Sequence, residues 1–189
     1  MKKFNTFIAS AITASALTFG SAQVLADDDA AELLQLKRTK FSVEQALEKV
    51  AKEYQGQILE VELDEKHNQL IYEVEVADLA NEKVYEVYVN PTSGEVFLDE
   101  TENLKLLGFN RFDEDKLAAL RAMAENHFSL EDQLIKIKQD YPGIVKEAEF
   151  KQSKGVSYYK VKILTNEGRR QKVIVDALTG ETIPVMDHD

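Results

Sequence analysis

The chain has 189 residues and no cysteine, and its 34 acidic side chains outnumber 23 basic ones, which leaves a net charge of −11. The lack of cysteine excludes disulfide bonds, thiol catalysis and thiolate metal sites. The acidic balance disfavours nucleic-acid binding, because affinity for a phosphate backbone depends on clustered lysine and arginine.

Residues 1–26 have the three parts of a secretory signal peptide. A positive start with Lys2 and Lys3 is followed by an apolar run that ends near Gly20, and small residues then lead to Ala26. The apolar run is shorter than the roughly 20 residues that cross a bilayer, so we expect cleavage after Ala26 rather than a retained anchor. The sequence predicts export to a bacterial periplasm, with secretion as the alternative, and no membrane span after cleavage.

The rest of the chain is a tandem repeat. Residues 41–44 (Phe-Ser-Val-Glu) recur at 128–131 as Phe-Ser-Leu-Glu, and Tyr72 recurs as Tyr159 at the same spacing. Such a repeat indicates two copies of one structural unit. We divide the chain into a signal peptide (1–26), unit 1 (27–100), a connector (101–114) and unit 2 (115–189).

A helix is predicted near the start of each repeat. In unit 1, apolar residues follow helical spacing behind Ser42, a suitable N-cap, and Gln45 completes a capping box. Gly56 stands where a C-terminal glycine is expected. The equivalent residues of unit 2 are Ser129, which precedes the helix, and Pro142 and Gly143, which end it. A further helix is predicted before each of these, around residues 30–38 and 115–126.

Alternating apolar residues then predict three strands in each unit, and a short fourth strand follows at 96–98 in unit 1. Asn68 suits the turn between the first two strands, and Gly94 takes the left-handed position in the loop after the third. The predicted class is α+β, with two tandem units that each pack a helix on a three- to four-stranded antiparallel sheet. Units this small are expected to pack on each other. The connector is expected to dock through five apolar residues: Leu104, Leu106, Leu107, Phe109 and Phe112.

The order of these features resembles the PepSY domain, here present twice. The residues that carry the resemblance are Tyr54, Gly56, Tyr72, Val74, Val76, Val87, Val89, Asn90, Gly94 and Glu95 in unit 1, and Tyr141, Gly143, Tyr159, Val161, Ile163, Val173, Val175, Asp176, Gly180 and Glu181 in unit 2. The resemblance implies a non-catalytic module of an exported protein, of the kind found in the propeptides of certain metallopeptidases, that restrains protease activity near the cell surface. The matched residues themselves are of the types that form cores, caps and turns.

No catalytic, cofactor or metal site is predicted. His67, His127 and His188 do not have the spacing of a histidine metal motif, and no Gly-x-Ser-x-Gly elbow exposes a serine nucleophile. Carboxylates are abundant, but nothing in the sequence marks two of them for the different environments that an acid/base pair needs. We therefore expect no enzyme activity and no cofactor.

The two units differ in charge. Residues 27–100 carry 19 acidic and 7 basic side chains, a net of −12, whereas residues 101–189 carry 15 and 14, a net of −1. On the sheet face opposite the helix, unit 1 stacks glutamates on three strands, whereas unit 2 can pair Glu147 and Glu149 with lysines. The candidate protein-binding face consists of Glu60, Glu62, Glu73, Glu75, Glu86, Tyr88, Lys160, Lys162, Lys172 and Ile174. Because neighbouring like charges repel, unit 1 is expected to need a compensating partner unless this face is only solvated surface.

Three functions remain open on the sequence alone. The first is a periplasmic binding or regulatory module that captures a protein or peptide, such as an envelope protease, on a sheet face or edge. The second is a structural protein whose two units pack or dimerise, which would be favoured if their outer faces bury each other. The third is a carrier of a cation or small molecule, which would need a concave site between the units lined by the glutamates.

Overall fold

The computed structural model of the protein describes residues 34–106 and 109–185. Its elements in chain order are α1 (Val43–Glu53), β1 (Gln57–Lys66), β2 (Gln69–Asp78), β3 (Lys83–Val89), β4 (Val96–Asn103), β5 (Lys105–Leu106), β6 (Phe109–Asn110), α2 (Glu114–Glu125), α3 (Leu130–Asp140), β7 (Gly143–Ser153), β8 (Val156–Thr165), β9 (Arg170–Asp176) and β10 (Thr182–Val185). The predicted signal peptide, His188 and the side chains of Leu106, Leu107 and Phe109 lie outside what the structure describes. Over the two described ranges, every helix is too short or too polar to cross a membrane.

The two units have the same construction, which confirms the predicted α+β class. Ser42 Oγ accepts a hydrogen bond from the Gln45 amide (3.4 Å), and the Gln45 side chain accepts one from the Ser42 amide (3.0 Å), so the capping box at the start of α1 is present. Ser129 begins α3 in the same manner, through the Asp132 amide (3.1 Å). The helix α2 lies where a further helix was predicted before unit 2. Its counterpart before unit 1 is described from residue 34 onward, where residues 34–36 are helical and residues 37 and 38 form a turn.

The glycines after the two helices have a different role from the predicted one. The helix α1 ends at Glu53 with Tyr54 as its C-cap, so Gly56 lies beyond the cap at the entry to β1. A Cβ atom on Gly56 would stand 2.4 Å from the carbonyl oxygen of Ala77, and one on Gly143 would stand 2.5 Å from that of Leu164. Glycine is needed because two backbones approach closely there.

The strands of both units form one continuous sheet, with the order β10-β9-β8-β7-β1-β2-β3-β4 and antiparallel pairing throughout. The units join where β1 pairs with β7, through three residue pairs: Glu60 with Glu149, Val61 with Ala148, and Glu62 with Glu147. We call this junction the seam. The periodicity of the sequence predicts the strands but not this junction, since a seam between units leaves no turn residues to mark it.

The helices α1 and α3 pack side by side on one face of this sheet, above the shared apolar core. Glu44 on α1 is almost fully buried, and Lys138 on α3 lies 3.1 Å from one of its carboxylate oxygens. On the same side, the buried Tyr159 hydroxyl of unit 2 donates a hydrogen bond to the Ile58 carbonyl of unit 1. These contacts bind the two units together across the seam.

Candidate protein-binding surface

The face of the sheet opposite α1 and α3, which we call the outer face, contains all ten residues of the predicted binding face. Directly paired residues of an antiparallel sheet point to the same side, so the strand registers trace two rows across all eight strands. The first row is Ile183, Ile174, Lys160, Glu149, Glu60, Glu75, Glu86 and Glu100. The second row is Val185, Lys172, Lys162, Glu147, Glu62, Glu73, Tyr88 and Phe97.

In unit 1 the chain itself supplies cations for most of the stacked glutamates. Lys66, at the end of β1, places Nζ 2.6 Å from the Glu73 carboxylate and 3.7 Å from that of Glu86. The same ammonium hydrogen-bonds to the Tyr88 hydroxyl and lies 4.2 Å from the centre of its ring. Burial opposes charging of Lys66, but the hydrogen bonds to Glu73 and Tyr88 outweigh it and raise the lysine pKa. The expected repulsion among these carboxylates is therefore largely compensated within the chain.

The connector provides the second cation. Arg111 extends onto the outer face, where one guanidinium nitrogen lies 2.5 Å from Glu75 and the other contacts Glu102. Its backbone amide donates to the Leu104 carbonyl (2.8 Å), and Leu104 and Phe112 are buried in the core cluster. Neither Arg111 nor Lys66 was recognised in the sequence as part of this face, because the first comes from the connector and the second from a hairpin end.

Replacing Arg111 with methionine should destabilise the protein by about 1 kcal/mol, because Glu75 is only partly exposed and would lose its cation. The midpoint of urea denaturation measures this loss. Arg169→Met is the matched control, since that exposed side chain lies 3.8 Å from the exposed carboxylate of Glu167. Equal midpoints for the two variants would show that the Arg111 contacts contribute nothing to stability.

Unit 2 neutralises its glutamates by cross-strand pairs, as the sequence predicts. Lys160 lies 3.2 Å from Glu147 and 3.0 Å from Glu149, and Lys162 also pairs with Glu147. Lys151 adds a further contact to Glu149. Tyr88 of the predicted binding face is buried, with a relative exposure of 8%, whereas Ile183 at the far end of the first row is 56% exposed.

Glu60 is surrounded by other glutamates on the outer face. Its direct cross-strand neighbours are Glu149 across the seam and Glu75 on β2, and Glu62 and Glu147 lie in the adjacent row. Burial, followed by repulsion from these carboxylates, raises the pKa of Glu60 to about 7. Burial and the neighbouring Glu147 also raise the pKa of Glu62. The sequence did not reveal this perturbation because it arises at the seam.

The two rows of the outer face lack the groups that usually act as nucleophiles. Neither row contains a serine, threonine, cysteine or histidine that Glu60 could activate as a general base. Among residues 34–106 and 109–185, no group of three or more histidine, aspartate or glutamate side chains is arranged to hold a metal ion.

The motif residues of the two hairpins shape turns. Asn90 Oδ1 accepts hydrogen bonds from the amides of Thr92 (2.8 Å) and Ser93 (3.0 Å), and Asp176 Oδ1 accepts the equivalent bonds from Leu178 (2.9 Å) and Thr179 (2.7 Å). Burial alone would raise the pKa of Asp176, but these amide hydrogen bonds outweigh it and lower that pKa. The amides of Asn90 and Asp176 close each loop by donating to the carbonyls of Glu95 and Glu181.

The remaining motif residues also serve the fold. Tyr54 packs against Tyr85 with ring centres 5.2 Å apart, and Tyr141 is half-buried against the core cluster. Gly94 and Gly180 have φ values of 71° and 72°, as the left-handed position in each loop requires. These residues of the repeated motif therefore stabilise the turns and the core of each unit.

Two copies of one unit, with the same caps, hairpins and closing turns, agree with a comparison against protein families. The family PepSY, described as "Peptidase propeptide and YPEB domain", matches residues 40–100 and 129–183. The chain belongs to the PepSY family. The two matched segments correspond to the repeats seen in the structure, so this PepSY protein contains two tandem domains.

No curated protein matches the chain. Among solved structures, the PepSY chain is similar to a protein from Clostridium difficile 630 that is provisionally described as a lipoprotein, with 20% sequence identity and a TM-score of 0.42. That match covers 79% of this chain and 95% of the other.

Proposed function

We propose that this PepSY protein is an exported, non-enzymatic binding module that holds an extended, basic segment of an envelope protein and thereby restrains protease activity. The signal-peptide pattern of residues 1–26 supports export, and membership of a family described from peptidase propeptides supports the link to proteases. The target is a protease of the periplasm, or one met after secretion.

The observation that carries the proposal is the edge strand β4. It is the last strand of the sheet, and residues 97–103 along it are exposed. Phe97 and Leu98 are 42% and 47% exposed, and Asp99, Glu100 and Glu102 follow on the same strand. An exposed edge offers backbone hydrogen bonds to an added strand, and alternate side chains select its sequence. Acidic and apolar side chains together favour a partner segment that is basic and partly apolar.

The predicted binding face contributes through its end nearest β4. Glu86 is paired with Glu100 in the first row and Tyr88 with Phe97 in the second, so the outer face continues into the edge strand. Phe97 packs edge-on against Tyr88 with ring centres 5.5 Å apart. A strand added beside β4 would therefore extend both rows.

The proposal is tested by adding the purified mature protein to periplasmic extract and measuring hydrolysis of casein. We expect the protein alone to show no hydrolysis and the wild type to lower the extract's activity, less so at high salt because surface charges are screened. A variant with Asp99→Lys and Glu100→Lys should lose this inhibition. Glu167→Lys, an exposed charge reversal in unit 2, is the control.

Two results would contradict the proposal. If the β4 variant and the Glu167 control inhibit equally, the edge strand is not the binding surface. If the wild type leaves protease activity unchanged at every salt concentration, the restraining role itself is wrong. Circular dichroism and melting curves should confirm that both variants are folded.

Two other functions were considered from the sequence, an assembly protein and a carrier of a cation or small molecule. The outer faces of the units lie side by side in one sheet, so they do not bury each other as an assembly role would favour. Three of the glutamates proposed for a cation carrier, Glu73, Glu75 and Glu86, are contacted by Lys66 or Arg111. The edge-strand proposal is therefore the one that a specific feature favours.

A further inference from the structure

A cavity of about 460 Å³ opens on the outer face of unit 2. Its lining contains four cations and two carboxylates: Lys146, Lys162, Arg170, Lys172, Glu62 and Glu147. Leu164, which is almost fully buried, adds an apolar wall. We call this cavity the basic pocket. Its local excess of positive charge contrasts with the net charge of −11 on the whole chain.

The tandem repeat provides an internal comparison for this pocket. By the spacing of the repeat, Lys162 corresponds to Glu75 and Lys172 to Glu86 of unit 1. Both pairs of residues lie on the outer face, on the second and third strands of their units. The same position on the fold is therefore negative in unit 1 and positive in unit 2.

In unit 1 this position is occupied by the connector. The Arg111 guanidinium binds Glu75, and Leu104 anchors the segment by donating its amide to the Glu82 carbonyl (2.9 Å). Ala77 and Val84, which lie next to Glu75 and Glu86 on the same face, are buried. A segment of chain with an apolar anchor and one charged side chain thus fits this place on the PepSY unit.

From this comparison we propose that the basic pocket of unit 2 binds an acidic, partly apolar peptide segment of a partner protein. A carboxylate of the partner takes the place that the Arg111 guanidinium takes in unit 1, and an apolar side chain of the partner packs beside Leu164. Charge-assisted hydrogen bonds from lysine and arginine to a carboxylate supply the attraction, and Glu62 and Glu147 at the border select against densely charged ligands.

This site is separate from the surface proposed for the protease-restraining role. The basic pocket lies on β7, β8 and β9 and reaches Glu62 on β1, whereas β4 forms one end of the sheet, beyond β2 and β3. The two sites also require partners of opposite charge. Failure of one proposal therefore leaves the other intact.

The test measures binding of a fluorescent peptide of alternating glutamate and leucine to the purified mature protein. A matched peptide with glutamine in place of glutamate is the ligand control. We expect the acidic peptide to bind about tenfold more tightly than the glutamine peptide at low salt, with the difference shrinking as salt is added. A variant with Arg170→Gln and Lys172→Gln should bind the acidic peptide about tenfold more weakly than the wild type.

The matched control protein carries Arg121→Gln and Lys136→Gln, which remove the same number of charges from α2 and α3, away from the pocket. Unchanged melting temperatures would show that both variants fold. Equal weakening in both variants would overturn the proposal, since net charge alone would then explain binding. Inorganic phosphate that competes as tightly as the peptide would overturn the peptide assignment. The proposal would also be overturned if the wild type formed dimers and only the Arg170/Lys172 variant were monomeric, because a second copy of the chain would then be the occupant.

Discussion

Replacing Gly94 with valine is expected to destabilise the protein by about 3 kcal/mol. Gly94 has a φ of 71°, a left-handed conformation that a β-branched residue adopts only with strain. A Cβ atom there would also stand 2.6 Å from Cζ of Phe41 and 2.8 Å from Cε of Lys49, in the space between the hairpin and the start of α1. The midpoint and slope of urea denaturation measure the loss.

Gly155→Val is the matched control, because it separates backbone strain from crowding. Gly155 has nearly the same conformation, with a φ of 76°, but a Cβ atom there would meet nothing within 4 Å. Gly180→Val should fall between the two, since the nearest atom is Oε1 of the Gln133 side chain, at 2.8 Å, which can move aside. A Gly94 variant no less stable than the Gly155 variant would show that the hairpin does not pack on α1 as described.

Glu60→Gln is expected to stabilise the protein at pH 8 by roughly 1 to 2 kcal/mol, with no difference from wild type at pH 4. Burial and the carboxylates of Glu149, Glu62, Glu147 and Glu75 raise the pKa of Glu60 from 4.5 to about 7. Below 4.5 the carboxyl group is protonated in both the folded and the unfolded chain, so it costs nothing. Between the two pKa values the folded state binds more protons, and stability falls as the pH rises. Above pH 7 the full cost of the buried charge remains.

The stabilisation expected for Glu60→Gln is smaller than the full shift of the Glu60 pKa implies, because the side chain is partly exposed and solvent screens the repulsion. Thermal melts of wild type and variant between pH 4 and pH 8 test the prediction. Glu65→Gln, at the exposed end of the same strand, is the control and should not change the pH dependence. A stability difference between wild type and the Glu60 variant that does not vary with pH would mean that the seam does not hold Glu60 against its neighbours.

The sequence predicted the elements well where local chemistry determines them. Ser42 and Gln45 form a capping box from backbone and side-chain groups only three residues apart. Asn68 lies in the turn where it was predicted, and it and His67 both have positive φ, as a two-residue hairpin requires. The strand β4 is longer than predicted, 96–103 rather than 96–98, because its polar residues 100–103 pair with β3 although they carry no apolar alternation.

The candidate surface was predicted less completely. The ten residues that alternation assigned to one face lie together on the outer face, because side-chain direction in a strand depends only on position along it. The cations that compensate unit 1 were missed, since Arg111 reaches Glu75 across a separation of 36 residues. Such a contact has no local signal in the sequence.

The sequence by itself determined the repeat, the α+β unit and its turns, because these depend on periodicity and on residues close together in the chain. Only the tertiary structure decided that β1 and β7 join the two units into one sheet and that Glu60 lies against Glu149. The residues that meet at the seam are far apart in the chain and come together only on folding. The backbone hydrogen bonds between the two strand edges do not depend on side-chain identity, so the sequence carries no local signal for them. The tertiary structure also decided that the cations of unit 2 line one pocket and that this pocket corresponds to the Arg111 site of unit 1, because both positions lie on the same outer face.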